Sequence, residues 1–205
     1  MCVLFENLFL LKLSDTMRVL LAICFALLMQ FTTMGQNGQS KVPAMDKSPM
    51  DVSYYPVNYP VLKIQDKANE PVVARVVYSR PQKNGRLVFG ELLEYNKVWR
   101  LGANEATEIE FFKDVKIGTT KIKKGRYTLY CIPTPTQWTI ILNRDTDIWG
   151  AFKYDSKKDV VRTTVPVQKI TELVEAFTIY FEKNNSGLNV VFTWDDDLVK
   201  LPVSL

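Results

Sequence analysis

Toward the C-terminus, Phe177, Ile179 and Phe181 stand at every second position, and Leu188, Val190, Phe192 and Trp194 then do the same. A period of two puts every second side chain on one face of a strand, whereas on a helix the same residues would scatter around the axis. Asn184-Asn185-Ser186-Gly187 separates the two runs, so the pattern predicts a hairpin with one buried face. The motif recurs along the chain. Short runs rich in Val, Ile, Thr and aromatics are predicted as strands at Val72–Tyr78, Arg86–Phe89, Glu108–Phe112, Val115–Ile122, Arg126–Ile132, Gln137–Asn143, Val160–Val167, Ala176–Glu182, Leu188–Trp194 and Leu198–Val203. Asn84-Gly85 and Lys124-Gly125 are read as hairpin turns between them. Within Glu108–Phe112, Ile109 and Phe111 point inward while Glu108 and Glu110 point outward. Only Gln168–Glu175 and Glu91–Asn96 have any helical character, and both are short. About ten strands with no long helix predict an all-β fold, a single antiparallel β-sandwich or jelly-roll-like domain.

Three stretches organise the chain before that domain is counted. Residues 1–35 are read as an upstream extension plus a signal peptide: Met17-Arg18 precedes the apolar run Val19–Met29, and Thr33 and Gly35 place small residues before a cleavage at Gln36. Glu6, Asn7, Lys12 and Asp15 suit an n-region poorly, so the true start is expected at Met17. The run falls short of the roughly 20 apolar residues a spanning helix needs. The rival reading is an uncleaved N-terminal anchor, the one route by which a membrane would be a partner. Residues 36–60, with Pro43, Pro49, Pro56 and Pro60, are read as an extended, partly disordered leader, and Tyr54, Tyr55 and Tyr59 suggest that its second half lies on the domain. Residues 61–205 carry the domain. The expected location is periplasmic or extracellular.

The chemistry open to this chain is narrow because it contains no histidine. Ser-His-Asp and Cys-His nucleophiles, His-ligated metals and imidazole acid–base catalysis are all excluded. Beyond the leader region Cys131 is the one cysteine, too few for a disulfide or a thiolate zinc site, and its place among Tyr127 and Leu129 reads as a buried inert thiol. Asn143-x-Asp145-x-Asp147 resembles the opening of a calcium loop, but Ile148 and Tyr154 stand where that loop needs Gly and Glu, so it is read as a polar turn. Asp195-Asp196-Asp197 is read as an exposed turn. No cofactor and no metal are expected. The formal net charge of +4 is mild and dispersed, with no basic stripe for nucleic acid.

What remains is the loop Trp99–Thr107, where Arg100, Asn104 and Glu105 break apolar order beside a tryptophan. Arg100 can present a bidentate fork, Asn104 donates and accepts, and Glu105 accepts when ionised. An aromatic among such groups is the usual make-up of a sugar-binding surface. The alternative is an internal Arg100–Glu105 ion pair that only fixes a strand crossover. Arg80, Arg86 and Glu91 form a second cluster that would complete one charged pocket if the two loops share an end of the domain.

Several stretches carry a resemblance: Ser48-Pro49-Met50-Asp51, Tyr78-Ser79-Arg80-Pro81, Gly85-Arg86-Leu87-Val88-Phe89-Gly90, Lys97-Val98-Trp99-Arg100, Gly102-Ala103-Asn104-Glu105-Ala106-Thr107, Lys124-Gly125-Arg126-Tyr127-Thr128-Leu129 and Trp149-Gly150-Ala151-Phe152. The chain is similar, from Ser48 to its C-terminus, to a bacterial family of exported proteins of unknown function, DUF2911. That resemblance implies a Gram-negative exported protein and brings no activity or catalytic residue. The function expected is a non-catalytic module binding a glycan or small polar ligand through Trp99, Arg100, Asn104, Glu105, Arg80 and Arg86. Two alternatives stay open: a carboxylate-dependent hydrolase of glycosidase type using Glu105 and Glu91, and a structural or assembly protein without ligand. The oligomeric state is not legible.

Overall fold

The computed structural model describes residues 16, 17, 19, 20, 23 and 42–205. The chain divides into two compact units, Met1–Ala44 and Met45–Leu205. In the first, Thr16, Met17, Val19, Leu20 and Ile23 are helical; the rest of the expected signal segment, with its cleavage position, lies outside the described residues. Among the described residues no helix is long and apolar enough to cross a membrane.

The second unit is built from nine strands: β1 (Met50–Tyr55), β2 (Ala74–Ser79), β3 (Glu108–Phe111), β4 (Val115–Ile117), β5 (Thr120–Ile122), β6 (Gly125–Pro133), β7 (Gln137–Asn143), β8 (Asp159–Asn184) and β9 (Gly187–Ser204). A short helix, α1 (Tyr59–Ile64), and a single 3-10 turn at Ser156–Lys158 complete it. Every strand pairing is antiparallel, in the order β1-β2-β3-β6-β7-β8-β9-β4-β5. The fold is all-β, as expected, and hydrogen bonding links all nine strands into one open sheet instead of leaving them in two unconnected ones. β8 accounts for this continuity. Its first part pairs with β7 from Asp159 to Pro166, and its second part pairs with β9 from Val167 onward, so one strand of 26 residues serves both halves.

Gln168–Glu175, one of the two stretches with some helical character, is therefore strand. The ladder slips on both sides of Val174, and this stretch is mostly exposed, so neither face imposes a period of two. β9 likewise runs straight through Asp195-Asp196-Asp197, which is not an exposed turn. Asp195 and Asp197 are buried. Asp195, with φ of 56°, forms the irregularity and is ion-paired with Lys83. Lys169 lies 2.8 Å from Asp196 and 2.5 Å from Asp197. Buried carboxylates are tolerable only with such partners.

Two predicted strand features differ locally. Asn84 (φ 49°) and Gly85 (φ 70°) do form a turn, but the residues after it make tight turns and no strand, with Gly90 N–H bonded to Leu93 O at 2.8 Å. Val88 and Phe89 nonetheless enter the core. Lys124-Gly125 joins no hairpin, because β5 pairs with β4 whereas β6 pairs with β3 and β7. Of the stretch 36–60 expected to run extended, Met50–Tyr55 is β1, paired with β2 along its whole length.

The main core centres on rings from distant segments. Trp99 lies 4.9 Å from Phe177, 5.8 Å from Trp138 and 5.9 Å from Trp194, centroid to centroid. A smaller apolar cluster of Ala106, Tyr130 and Ile141 also gathers Val98, Ile132, Ile148, Ala151 and Tyr154. Alternation along β6 separates the two clusters, sending Leu129 and Cys131 to the main core and Tyr130 to the opposite face.

Candidate functional site

The segment around Trp99 takes the lane beside β6 that β3 occupies further on. Trp99 and Cys131 exchange both backbone hydrogen bonds, at 2.7 and 2.8 Å, which fixes the tryptophan toward the core. Its indole N–H donates to Gly102 O at 3.1 Å, so its polar edge is satisfied inside. Thr107 Oγ1 donates to Leu101 O and Thr107 N–H to Arg100 O at 3.1 Å, closing the loop on itself. Gly102, at φ of 157°, lets the loop run against β2; a Cβ there would sit 3.1 Å from Ser79 O. Trp99 is only 5% exposed and offers no face to a ligand.

The neighbouring polar residues part company. Arg100 lies on the opposite side of the segment from Trp99 and is half-buried. Its Nε is buried without a hydrogen-bond partner among the described residues, and burial lowers its pKa. The internal ion pair considered for it is not formed, since Glu105 is exposed and neither residue enters an ion pair among the described residues. Asn104 takes a left-handed φ of 57° and accepts from Gly150 N–H at 2.9 Å. Ala106 N–H donates to Ile148 O at 2.8 Å, and Glu105 pairs with Trp149 between them. Residues 104–106 and 148–150 thus form a miniature ladder.

That ladder borders a cleft of about 130 Å³ lined by Met50, Val77, Glu105, Ala106, Glu108, Asp147 and Ile148. Its walls are apolar and its rim is acidic. Two of the three carboxylates are occupied: Arg126 lies 3.3 Å from Glu108 and 2.6 Å from Asp147, and Asp147 N–H donates to Glu108 Oε1 at 2.7 Å. Glu105 is left facing solvent. Beside it Trp149 is 60% exposed, and Phe152, on the same turn, is 87% exposed.

The second cluster expected from sequence does not join this cleft. Arg80 contacts Asp51 at 3.0 Å, Thr178 Oγ1 at 2.9 Å and Phe177 O at 3.3 Å, tying the end of β2 to β1 and β8. Arg86 caps its own turn through Lys83 O at 2.9 Å and Gln82 O at 2.5 Å. Glu91 is exposed beyond Gly90 and lines no wall of the cleft. The six residues considered as one charged pocket are not brought together.

A tyrosine network anchors the turn that carries Trp149. Tyr154 donates to Asp159 Oδ2 at 2.6 Å, Arg162 donates from Nε to the same oxygen at 2.6 Å and from Nη2 to the Tyr154 hydroxyl, and Asn143 Nδ2 donates to Asp159 Oδ1 at 2.7 Å. Tyr130 stacks edge-on against Tyr154, with centroids 5.0 Å apart. Burial, reinforced by nearby carboxylates, pushes both phenols up to about 12. Asn143 ends β7 and Arg144 to Asp147 form a polar bend after it; among the described residues no group of three or more His, Cys, Asp and Glu is placed to hold a metal ion. Cys131 is buried and its thiol is pushed well up by burial, which removes it as a nucleophile.

Sequence reasoning did not single out Ile148, Asp147 and Glu108, which line the cleft, or Trp149, which stands beside Glu105 without lining it. One signal was present: Trp149-Gly150-Ala151-Phe152 places two aromatics around a glycine in a polar turn, where no strand face claims them.

A family model described as a protein of unknown function, DUF2911, matches residues 61–203. No curated protein and no solved structure matches the chain.

Proposed function

We propose, for a chain that belongs to the DUF2911 family, that it is a non-catalytic binding module for a glycan or another small polar ligand, bound at the cleft under Glu105 with Trp149 as its platform. The exposure of Trp149 beside Glu105 carries the reading. A large aromatic left in water at the edge of an apolar-walled cleft gains by covering one face, and the C–H face of a sugar ring supplies such a cover. Glu105 accepts hydrogen bonds from hydroxyls, and the walls of Val77, Ala106 and Ile148 exclude water from the contact. Binding is favoured over glycoside hydrolysis because a hydrolase needs two carboxyls working as a pair. Here Glu108 and Asp147 are committed to Arg126, and Glu91 is not at the cleft. Export belongs to the same reading and rests on Met17-Arg18 before the run Val19–Met29.

Calorimetric titration with a panel of neutral and acidic oligosaccharides tests it. The expected result is saturable binding to at least one member, lost in Trp149→Ala and weakened at least tenfold in Glu105→Gln. Flat traces across the panel, or binding indifferent to both substitutions, would sink the proposal. Both side chains are exposed, so the variants keep their fold.

A further inference from the structure

A second cavity lies apart from the Trp149 cleft. It encloses about 330 Å³ between the end of β1, helix α1, the loop after it and the end of β8. That is room for the greater part of a small molecule, whereas the cleft beside Glu105 takes only one edge of a ligand that lies on Trp149. Tyr55, Tyr59 and Leu62 form apolar walls of the cavity, and Lys67, Lys183 and Glu70 polar ones.

The helix over this cavity is the informative element. With six residues it is far below the roughly 12–15 at which a helix stands alone in water, so its surroundings must hold it. Yet it buries none of its own side chains. Tyr59 and Leu62, three apart and therefore on one face, are only half-buried and line the cavity. The backbone around them is well tied: Tyr59 N–H bonds to Pro56 O at 3.1 Å, Lys67 N–H to Leu62 O at 2.8 Å and Val73 N–H to Tyr55 O at 2.8 Å. Tyr55 closes the floor with its hydroxyl on Gly187 O at 3.2 Å. The walls are thus fixed while the apolar faces of Tyr59 and Leu62 stay only partly covered.

The charges at the rim select the occupant. Lys67 and Lys183 face a single acid, Glu70, and none of the three enters an ion pair among the described residues. Their sum is one positive charge. From this we infer that the cavity beneath α1 is a binding site for a small anion with an apolar body, a carboxylate whose hydrocarbon part fills the space against Tyr59 and Leu62 while its charged end lies between Lys67 and Lys183. A cation would meet two ammonium groups, and a bare inorganic anion would leave the apolar walls wet.

The test is an amide NMR titration of the full chain with phenylacetate and hexanoate, each set against its uncharged amide. The expected result is saturable shifts concentrated at Val57–Glu70 and around Lys183, with the amides at least tenfold weaker. In the double variant Lys67→Gln/Lys183→Gln, the preference for acid over amide should vanish while the rest of the spectrum is unchanged. Both lysines are exposed, so this variant folds. Absent shifts, shifts spread over the whole surface, or equal binding of acid and amide would overturn the inference.

Discussion

Trp99 and Trp149 show that residue type alone does not assign a role. Trp99 is enclosed by four aromatic rings, and deleting such a side chain leaves a cavity that its neighbours fill only in part. Trp99→Ala should therefore cost about 3–5 kcal/mol of stability, whereas Glu105→Gln, on an exposed side chain with no ion pair, should stay within about 0.5 kcal/mol. Urea denaturation of the two variants reads both values, and a large loss in Glu105→Gln would restore a structural role for that residue. A pH prediction also belongs to single residues. Tyr130 and Tyr154 titrate near 12 in the folded chain against an ordinary value of 10. A raised folded pKa means that the folded state holds its protons longer than the unfolded chain does. Their contribution is complete below pH 10 and is lost as pH climbs through about 12, so stability should fall across that window. Tyr130→Phe and Tyr154→Phe should each flatten the fall, measured as denaturation midpoints against pH. From sequence the polar make-up of the Trp99 loop was legible but its direction was not. Which face Trp99 takes depends on its pairing with Cys131, a contact between distant segments.

Elements were legible wherever one face is buried and the other is wet. The alternation of Phe177, Ile179 and Phe181, and that of Ile109 and Phe111, placed β3 and the end of β8 correctly because those residues are buried. Where strand residues are exposed on both faces, as at Glu172 and Leu173, the period disappears and the sequence takes on some helical character. Local turn signals also mislead about pairing: Lys124-Gly125 marks a turn but says nothing of which strands it connects. The β8–β9 hairpin gives a sharper prediction. Gly187 has φ of 152°, and a Cβ there would lie 2.7 Å from Val203 O and 3.0 Å from Leu205 N. Both are backbone atoms of the neighbouring chain end and cannot rotate aside. Gly187→Ala should cost more than about 1 kcal/mol, while Gly85→Ala, with open space around it, should pay only for its positive φ. Thermal melts of the two variants should rank them in that order.

At the largest scale, the unit Met45–Leu205 is one sheet carrying two separate cavities, and each cavity is assembled from distant parts of the chain. The Trp149 cleft needs β1, β2, the segment after Asn104 and the turn beyond β7. The cavity under α1 needs the end of β1 and the end of β8. Strand content and the absence of histidine chemistry are properties of local sequence and composition, and were readable. The sheet order, the ladder between residues 104–106 and 148–150, and the burial of Asp195 and Asp197 are products of pairing over long separations, and were not. On the proposed function, ligand is held at Trp149 and not at Trp99. The chain has four tryptophans, of which Trp99, Trp138 and Trp194 are buried and Trp149 is exposed, so their indole N–H signals distinguish the sites in a single experiment. Titration with the best member of the oligosaccharide panel should move the Trp149 indole signal saturably and leave the other three in place. A response at a buried indole with Trp149 unmoved would contradict the account.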